Sequence, residues 1–391
     1  MLSPAARISQ LFEKIIERKV AEEREKSGPV LTGYARDLSP PTNFWISVAR
    51  AGQTERYLEC PSPIYGERMA MRYADFIAGA PMHEWIDEFH RQYFQVAHAN
   101  PHTMMTPTGK FANENLKMAS GFICQFYNAN DHIAVPVGSG ATGAIDIALK
   151  LLTHQLGTLE NGFYINTTWE HHSNSLPFMM LAGKTGYQEL DLDTMSMQEI
   201  EAALQTLMKQ YNDKTPVFSI SLGSNVTGRR ITQKRLDEIC ELVHQHNGIV
   251  MVDLAGAGPY IECSLKNCDA AFFSPHKYIG CKGTPGVGIY AKSFITPSKP
   301  IQPAGGTVKW VTPWKIVFHD QHLADLLMPG TPNDTGFEKF ALILMMYEKI
   351  GMKNIEHLEH RWREELVDFF NSHSKIHALE GMLSEDALAI F

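Results

Sequence analysis

The chain has 391 residues, with 35 Lys or Arg against 43 Asp or Glu, so its formal net charge at pH 7 is −8. This acidic balance disfavours unspecific binding to nucleic acids, and no run approaches the ~20 apolar residues of a membrane span. We therefore expect neither a nucleic-acid partner nor a membrane partner. The length favours a large domain accompanied by a smaller one.

The cysteines are scattered along the chain, at positions 60, 124, 240, 263, 268 and 281. They show neither the pairing of a zinc finger nor the density of a secreted disulfide scaffold, and the spacing of Cys263 and Cys268 is poor for metal binding. The N-terminal residues 1–28 are amphipathic and charged, without the apolar core of a signal peptide. These patterns predict a cytoplasmic protein with reduced thiols and no metal site.

The first hundred residues predict only local structure. Apolar residues recur at helical spacing over residues 8–27, which predicts a helix. Residues 28–66 are rich in Pro and Gly and predict an extended surface segment. A short strand is predicted at residues 73–78, and a polar turn at residues 100–103 follows a helical stretch.

Farther along, helical and strand patterns alternate. Helices are predicted at residues 113–128, 140–152, 196–211, 232–247, 336–350 and 354–370, and strands at residues 133–137, 162–168, 216–222, 249–253, 269–273 and 287–291. This alternation is typical of a mostly parallel α/β sheet, in which ligands bind beyond the carboxyl ends of the strands. The final residues, 387–391, have the pattern of a strand cut short.

One strand end presents a lysine. The apolar strand at residues 269–273 leads into a turn of Ser274, Pro275 and His276, and the turn delivers Lys277. Most lysines lie on the surface, but one at this position can be held against a bound group. The hypothesis is that Lys277 carries a covalently bound cofactor.

A glycine-rich turn follows the strand at residues 133–137. Gly138, Gly140 and Gly143 open the next helix, an arrangement in which free backbone N–H groups and the helix dipole face an anion. The same spacing matches the dinucleotide fingerprint, which needs an acidic residue about 20 residues on. Glu170 lies 27 residues after Gly143, which is somewhat late for that role. The motif alone therefore leaves a phosphate group, a dinucleotide and no ligand open.

Other strand-end residues favour one cofactor. A pyridoxal phosphate enzyme needs a lysine for a Schiff base, an anion beside the ring nitrogen, a phosphate cradle and a flat group against the ring. Lys277, Asp253, residues 139–142 and His171 provide these groups in turn. Asp253 alone could cap a loop, and His171 alone could be a surface histidine. Their placement at successive ends of one predicted sheet favours pyridoxal 5'-phosphate over a nicotinamide cofactor.

Seven short segments carry a family resemblance. They are Gly-Ala-Thr-Gly-Ala-Ile at 140–145, Glu-His-His-Ser-Asn at 170–174, Ser-Asn-Val-Thr-Gly at 224–228, Val-Asp at 252–253, Ser-Pro-His-Lys at 274–277, Gly-Gly-Thr-Val at 305–308 and Gly-Thr-Pro-Asn at 330–333. Through these segments, which occur in the family's order, the chain resembles the class V aminotransferase family of pyridoxal phosphate enzymes, particularly its cysteine desulfurase-like members. The resemblance covers about residues 71–350.

The resemblance implies a fold and an assembly. The expected fold is that of a fold type I transferase, α/β with a mostly parallel central sheet flanked by helices and a smaller, incomplete C-terminal domain. The units would be an N-terminal helical arm and extended segment (1–70), a large cofactor-binding domain (71–330) and a partial small domain (331–391). The family also implies a homodimer with shared active sites.

The resemblance also implies the role of each site residue. Lys277 would form the Schiff base, Asp253 would pair with the ring nitrogen, and His171 would stack on the ring. The remaining residues would contact the polar groups of the cofactor: Ala141 through its backbone, Thr142, Asn225, Ser274, His276 and, from a neighbouring subunit, Thr307. Burial and the cationic ring would lower the pKa of Lys277, so that its free amine could act as a base.

Two departures from the family keep the reaction open. Gly256 stands where typical desulfurases carry a glutamine, and no cysteine follows Cys281. In desulfurases, the nucleophilic cysteine and the arginine that binds the substrate carboxylate lie on the C-terminal side, far past the lysine, and this sequence stops at Phe391 before that region would be complete. The favoured function is a cysteine desulfurase-like enzyme or related lyase acting on an amino acid. The alternatives are a class V aminotransferase, an inactive cofactor-binding homologue with a regulatory or partner role and, last, a nicotinamide-dependent oxidoreductase.

Overall fold

The structure, a computed structural model, describes residues 76–181, 186–373 and 387, together with residues 14 and 18 and the short segments 59–61 and 68–70. The predicted helix at residues 8–27 and the predicted strand at residues 387–391 lie outside the described residues, apart from single positions. None of the described helices combines the length and the apolar character that a membrane crossing requires.

The described elements follow in chain order. The strands are β1 (Glu59–Pro61), β2 (Arg68–Ala70), β3 (His132–Val137), β4 (Gly162–Thr167), β5 (Gly186–Leu190), β6 (Thr215–Ser221), β7 (Ile249–Asp253), β8 (Ala270–Phe273), β9 (Gly286–Ala291), β10 (Val308–Thr312) and β11 (Lys315–Phe318). The helices are α1 (Glu84–Tyr93), α2 (Pro107–Phe126), α3 (Gly140–Leu156), α4 (His172–Met179), α5 (Met197–Gln210), α6 (Gln233–Gln245), α7 (Leu323–Leu327), α8 (Asp334–Ile350) and α9 (Met352–Asn371).

The described residues form a central sheet of seven strands, in the order β3-β9-β8-β7-β6-β4-β5. Strand β9 runs antiparallel to both of its neighbours, β3 and β8, and the remaining pairs are parallel. The expected mostly parallel α/β sheet is therefore confirmed. The carboxyl ends of β4, β6, β7 and β8 consequently meet at one edge of the sheet.

The central strands are buried along their length. Strand β8 is buried at every position, and β7 at every position after Ile249. A parallel strand with helices over both sheet faces has no solvent side, so a continuous apolar run replaces the usual alternation. Asp253, at the end of β7, is a buried charged residue in an otherwise apolar strand. Because burying a charge is costly, this position indicates a functional role rather than a packing role.

Helix starts agree with capping chemistry. Helix α2 begins at Pro107, earlier than residue 113, because the Thr106 side chain accepts the Gly109 N–H and a proline is tolerated at the first helical position. Ser196 and Glu199 form a reciprocal capping box at the start of α5. These local signals fix where the chain enters each helix.

Some elements differ from the sequence predictions. Residues 76–78 form a turn, so the strand predicted at residues 73–78 is wrong over its described part. Strand β5, helix α4 and the antiparallel β10–β11 hairpin had not been predicted. Strand β5 lies at the edge of the sheet and exposes Gln188 and Glu189, so its sequence lacks the apolar run of the central strands.

Candidate active site

A pocket of about 640 Å³ opens at the carboxyl edge of the sheet. Its lining includes Gly138, Ser139, Gly140, Ala141, Thr142, Trp169, His171, Ser173, Ser221, Asn225, Asp253, Gly256, Ser274, His276 and Lys277. The structure thus brings together the predicted site residues from β7, the turn after β8, the start of α3 and the β4–α4 junction. Of the predicted set, only Thr307 is not among the lining residues of this pocket.

Asp253 and Lys277 follow neighbouring strands. Asp253 ends β7 opposite Phe272 of β8, and Lys277 lies in the 3₁₀ turn Pro275–Lys277 directly beyond β8. The Asp253 side chain is buried, and its Oδ1 accepts the Ala255 N–H at 2.8 Å. Burial raises the pKa of Asp253 to about 6, against the opposing effects of the Ala255 N–H and the Lys277 charge. A buried carboxylate in this state is stabilised by any cationic group that enters the pocket.

The start of α3 forms a narrow cradle against the turn after β8. Gly140 has a φ of +55°, and a Cβ at this position would lie 2.9 Å from the Ser274 Oγ. The Ala141 N–H donates to the same Oγ at 3.0 Å, which leaves the Ser274 hydroxyl proton free to donate into the pocket. The Ala141 amide therefore contacts Ser274 in this structure, rather than being free for an anion. The close backbone approach and the N-terminus of α3 fit a phosphate group.

His171 caps helix α4 at the mouth of the pocket. Its Nδ1 accepts the Ser173 N–H at 3.1 Å. Burial and the nearby charge of Lys277 lower the pKa of His171, and the same two causes lower that of His276. Both rings therefore favour their neutral forms.

Glu170 lies between two residues that line the pocket, Trp169 and His171, and the sequence did not reveal its role. Its carboxylate accepts five hydrogen bonds, from the amides and hydroxyls of Thr167 and Ser221 and from the side chain of Asn174. Burial raises its pKa. Because these donors occupy the carboxylate, Glu170 joins β4, α4 and β6 rather than holding a ribose. The dinucleotide interpretation thereby loses its acidic residue.

Trp169 was also missed by the sequence reasoning. Its ring lines the pocket, and the Arg229 guanidinium lies 4.6 Å from the ring centroid. Arg229 is in turn held by Asp191 and by Asp193, whose Oδ2 accepts from Nε at 2.8 Å. Only the folded chain brings these four residues together, and the Arg229 guanidinium packs against the Trp169 ring at the wall of the pocket.

Thr307 lies at the start of a separate hairpin. Its Oγ1 donates to the Ala304 carbonyl at 2.8 Å and accepts the Ala304 N–H, so its hydroxyl is satisfied within its own loop. Gly256, by contrast, lies in the pocket wall, where an added Cβ would approach the Gly223 carbonyl oxygen to 3.2 Å. A larger residue at Gly256 would therefore require its neighbour to shift.

The cysteine side chains that the structure describes are buried and unpaired, at positions 124, 240, 263, 268 and 281. Burial raises the pKa of Cys124 to about 11 and that of Cys263 to about 12. No cysteine within the described ranges lines the pocket. These thiols pack as small apolar side chains.

Comparison with known proteins yields probable cysteine desulfurases among the relatives of this chain. A probable cysteine desulfurase of Halalkalibacterium halodurans is 28% identical over 316 residues, which cover 76% of this chain and 70% of the relative. A probable cysteine desulfurase of Staphylococcus aureus strain N315 is 27% identical over 326 residues, which cover 82% and 74%.

Solved structures show the same fold. An apo cysteine desulfurase from Thermococcus onnurineus NA1 superposes with a TM-score of 0.61 at 22% identity, covering 76% of this chain and 73% of that structure. A cysteine desulfurase from Escherichia coli gives a TM-score of 0.59 at 22% identity, covering 77% and 74%. The predicted fold type I architecture is confirmed.

The sequence profile of the family described as aminotransferase class-V matches residues 72–387, which make up most of the chain. This range contains every segment on which the predicted resemblance rests. The chain belongs to the aminotransferase class-V family.

Proposed function

We propose that this protein is a pyridoxal 5'-phosphate-dependent enzyme that acts on an amino acid, most closely in the manner of a cysteine desulfurase or a related lyase. The observation that carries the proposal is the placement of Asp253 and Lys277 at the ends of adjacent strands, in one pocket with the N-terminus of α3. Family membership and the names of the relatives support the same function.

The charges of Lys277 and Asp253 suit pyridoxal phosphate. When bound, pyridoxal phosphate supplies an electron sink for reactions at the α-carbon of an amino acid. Lys277 would hold the cofactor covalently and would move a proton at the substrate α-carbon. Asp253 would face the ring nitrogen and keep it protonated. A positive ring nitrogen would also offset the burial that raises the pKa of the Asp253 carboxyl to about 6.

The other pocket residues would orient the cofactor. We assign the phosphate to the N-terminus of α3, with Thr142, Ser274 and His276 as side-chain donors and the Ala141 backbone beside them. His171 would lie against the ring, and Asn225 would lie near the ring hydroxyl. The close approach of Gly140 to the Ser274 Oγ, together with its positive φ, disfavours any larger residue at position 140.

The assembly and the location belong to the same proposal. We propose a homodimer, supported by the apolar side chains that the β10–β11 hairpin exposes. In this dimer Thr307 of each chain would reach the phosphate of the other, and its hydroxyl would exchange the hydrogen bond to the Ala304 carbonyl for one to the phosphate. We propose a cytoplasmic location, supported by the unpaired state of the described cysteines. The unit boundaries at residues 70 and 330 remain predictions.

The test is a spectral titration of the purified protein with pyridoxal phosphate. The wild type should acquire a visible absorption band, and Lys277→Ala should lose that band together with at least about a hundredfold of any activity. Lys282→Ala, which removes an exposed lysine five residues on, is the matched control and should behave as the wild type. A wild type that takes up no pyridoxal phosphate would refute the proposal.

The reaction is decided by adding amino acids to the loaded protein. Sulfide release from cysteine, measured with a thiol reductant present, supports the desulfurase reaction. Amino transfer that depends on a keto acid assigns a class V aminotransferase instead. A bound cofactor whose spectrum no amino acid changes assigns an inactive homologue.

A further inference from the structure

We propose that Tyr278 is a positioning residue for Lys277, because its side chain anchors the turn Pro275–Lys277 (the lysine turn) against the segment that follows Asp253. The inference rests on the function proposed above, since it concerns how the Schiff-base lysine is aimed at the cofactor. Tyr278 directly follows Lys277, is fully buried and is not among the residues that line the pocket. It therefore acts on the site through the adjoining backbone of Lys277.

The lysine turn has few hydrogen bonds of its own. The N–H groups of Lys277 and Tyr278 donate to carbonyls within the turn region at 3.0 and 2.8 Å, and the Ala80 N–H donates to the His276 carbonyl at 2.8 Å. A 3₁₀ turn of three residues has poorer hydrogen-bond geometry than an α-helix. The orientation of Lys277 therefore depends on side chains that anchor the turn, and that of Tyr278 is directly adjacent.

A second buried tyrosine holds the Tyr278 hydroxyl from one side. The Tyr278 Oη lies 2.6 Å from the Oη of Tyr127, which directly follows α2 and is buried. Burial raises the pKa of both phenols, so both stay neutral and one hydroxyl donates to the other. The Tyr278 ring also packs edge-on against Phe340 of α8, with the ring centroids 5.1 Å apart. These contacts fix the Tyr278 side chain in the core.

From the other side, the Tyr278 hydroxyl lies against the segment that follows Asp253. A Cβ at Gly258 would overlap the Tyr278 Oη, so the glycine leaves room for the hydroxyl. The Gly258 N–H donates to the Leu254 carbonyl at 2.8 Å and closes the turn directly after Asp253. The paired residues of β7 and β8 end with Asp253 and Phe272. Beyond that pair, Tyr278 provides a side-chain contact between the lysine turn and the turn after Asp253.

Loss of this anchor should move the Lys277 amine and leave the rest of the pocket in place. Asp253 is fixed independently, by its position in the buried strand β7 and by the Ala255 N–H. The phosphate cradle is formed by the start of α3 and Ser274. Formation of the Schiff base should therefore depend on Tyr278, whereas occupation of the pocket by a ligand that forms no Schiff base should not.

Two forms of the cofactor separate these effects. Pyridoxal phosphate can form a Schiff base with Lys277, whereas pyridoxamine 5'-phosphate, which has an amine in place of the aldehyde, cannot. Tyr278→Phe keeps the ring and removes only the hydroxyl. It should raise the dissociation constant of pyridoxal phosphate about threefold to tenfold, the equivalent of one buried hydrogen bond, and that of pyridoxamine phosphate less than about twofold. Spectral titration of the purified protein measures both constants.

Tyr164→Phe is the matched control. The Tyr164 side chain is buried, and its hydroxyl donates to the Leu159 carbonyl at 2.6 Å near the amino end of β4, away from the pocket edge. This variant loses a comparable hydrogen bond and should bind both ligands as the wild type does. Equal weakening of the two ligands by Tyr278→Phe, or no weakening of either, would overturn the inference.

The partner tyrosine separates positioning from stability. Tyr127→Phe removes the same hydrogen bond from its other end and should weaken pyridoxal phosphate to the same extent as Tyr278→Phe. The double variant leaves neither hydroxyl unpaired, so its unfolding free energy should recover part of the loss of the single variants, while its affinity for pyridoxal phosphate should stay low. An affinity that recovers together with the stability would reduce the tyrosine pair to a structural role and overturn the inference.

The two proposals fail in distinguishable ways. A wild type that acquires no visible absorption band with pyridoxal phosphate refutes the proposed function, and this inference with it. A wild type that acquires the band, with an unaffected Tyr278→Phe, refutes this inference alone.

Discussion

Two regions of the molecule handle their unusual side chains in opposite ways. At the carboxyl ends of β4, β6 and β7, Asp253 is buried and Glu170 is half-buried, and the hydrogen-bond partners of both carboxylates come from the same chain. The β10–β11 hairpin instead places apolar side chains in solvent, with Trp314 90% exposed and Val311 and Ile316 also exposed.

The polar groups at the strand ends find their hydrogen-bond partners within one chain, whereas the hairpin leaves an apolar surface that the chain does not cover. The strand-end region is enclosed by the sheet and its helices, so its polar groups are held by tertiary contacts. A two-stranded ribbon is marginally stable by itself, and contiguous exposed apolar residues mark an interaction surface. This contrast supports the proposed dimer, in which a second copy covers the hairpin.

The largest loss of stability is expected for Glu170, whose carboxylate connects β4, α4 and β6 by hydrogen bonds. Glu170→Ala would leave five donors without their acceptor, three of them on Thr167 and Asn174 and two on Ser221. The unfolding free energy should fall by about 3–5 kcal/mol, because buried donors without partners are costly. Urea denaturation of the apo protein measures this loss.

The matched control for Glu170 is Glu201→Ala on the exposed face of α5, which should change the unfolding free energy by less than about 0.5 kcal/mol. Equal stability of the two variants would contradict the enclosed character of the strand-end region.

The next effect concerns the buried charge of Asp253. Its pKa rises from 3.8 in the unfolded chain to about 6 in the folded protein, so folding favours the protonated form. The stabilising contribution is complete below pH 3.8 and is lost as the pH rises to about 6, a change of about 3 kcal/mol. The unfolding free energy of apo wild type, relative to Asp253→Asn, should therefore fall by this amount between pH 3.5 and pH 7, as measured by urea denaturation at a series of pH values.

Asp146→Asn removes an exposed carboxylate of α3 and serves as the control for Asp253, since it should leave the pH dependence of the wild type in place. A difference between wild type and Asp253→Asn that does not change with pH would show that this carboxyl is not destabilised by burial.

The smallest effect is expected at the hairpin and should appear in assembly rather than in folding. Trp314→Ser should raise the dimer dissociation constant about thirtyfold, which corresponds to about 2 kcal/mol for a tryptophan at the centre of an interface. Sedimentation velocity over a concentration series measures this change. Val96→Ser, at another exposed apolar position, should leave the dissociation constant unchanged. A dimer that is insensitive to Trp314 would place the interface elsewhere.

The sequence by itself determined the family, the mostly parallel sheet and, Thr307 apart, a set of residues that do line the pocket. Strand β7 was predicted with the bounds that it has in the structure, since a buried apolar run that ends in Asp253 is a local signal. Lys277 and the glycine turn before α3 were equally visible, because turn residues and strand ends are encoded by neighbours along the chain. The predicted family is confirmed by the match over residues 72–387.

Only the tertiary structure decided which partners each of these groups meets. The two hydrogen bonds from Ser221 to Glu170, the stacking of Arg229 on Trp169 and the contact of Ser173 with Thr142 join residues that lie 31 to 60 positions apart in the sequence. Such contacts depend on strand order, which no local pattern encodes. The sequence therefore specified the groups at the sheet edge, and the folded chain specified where their protons and charges are held.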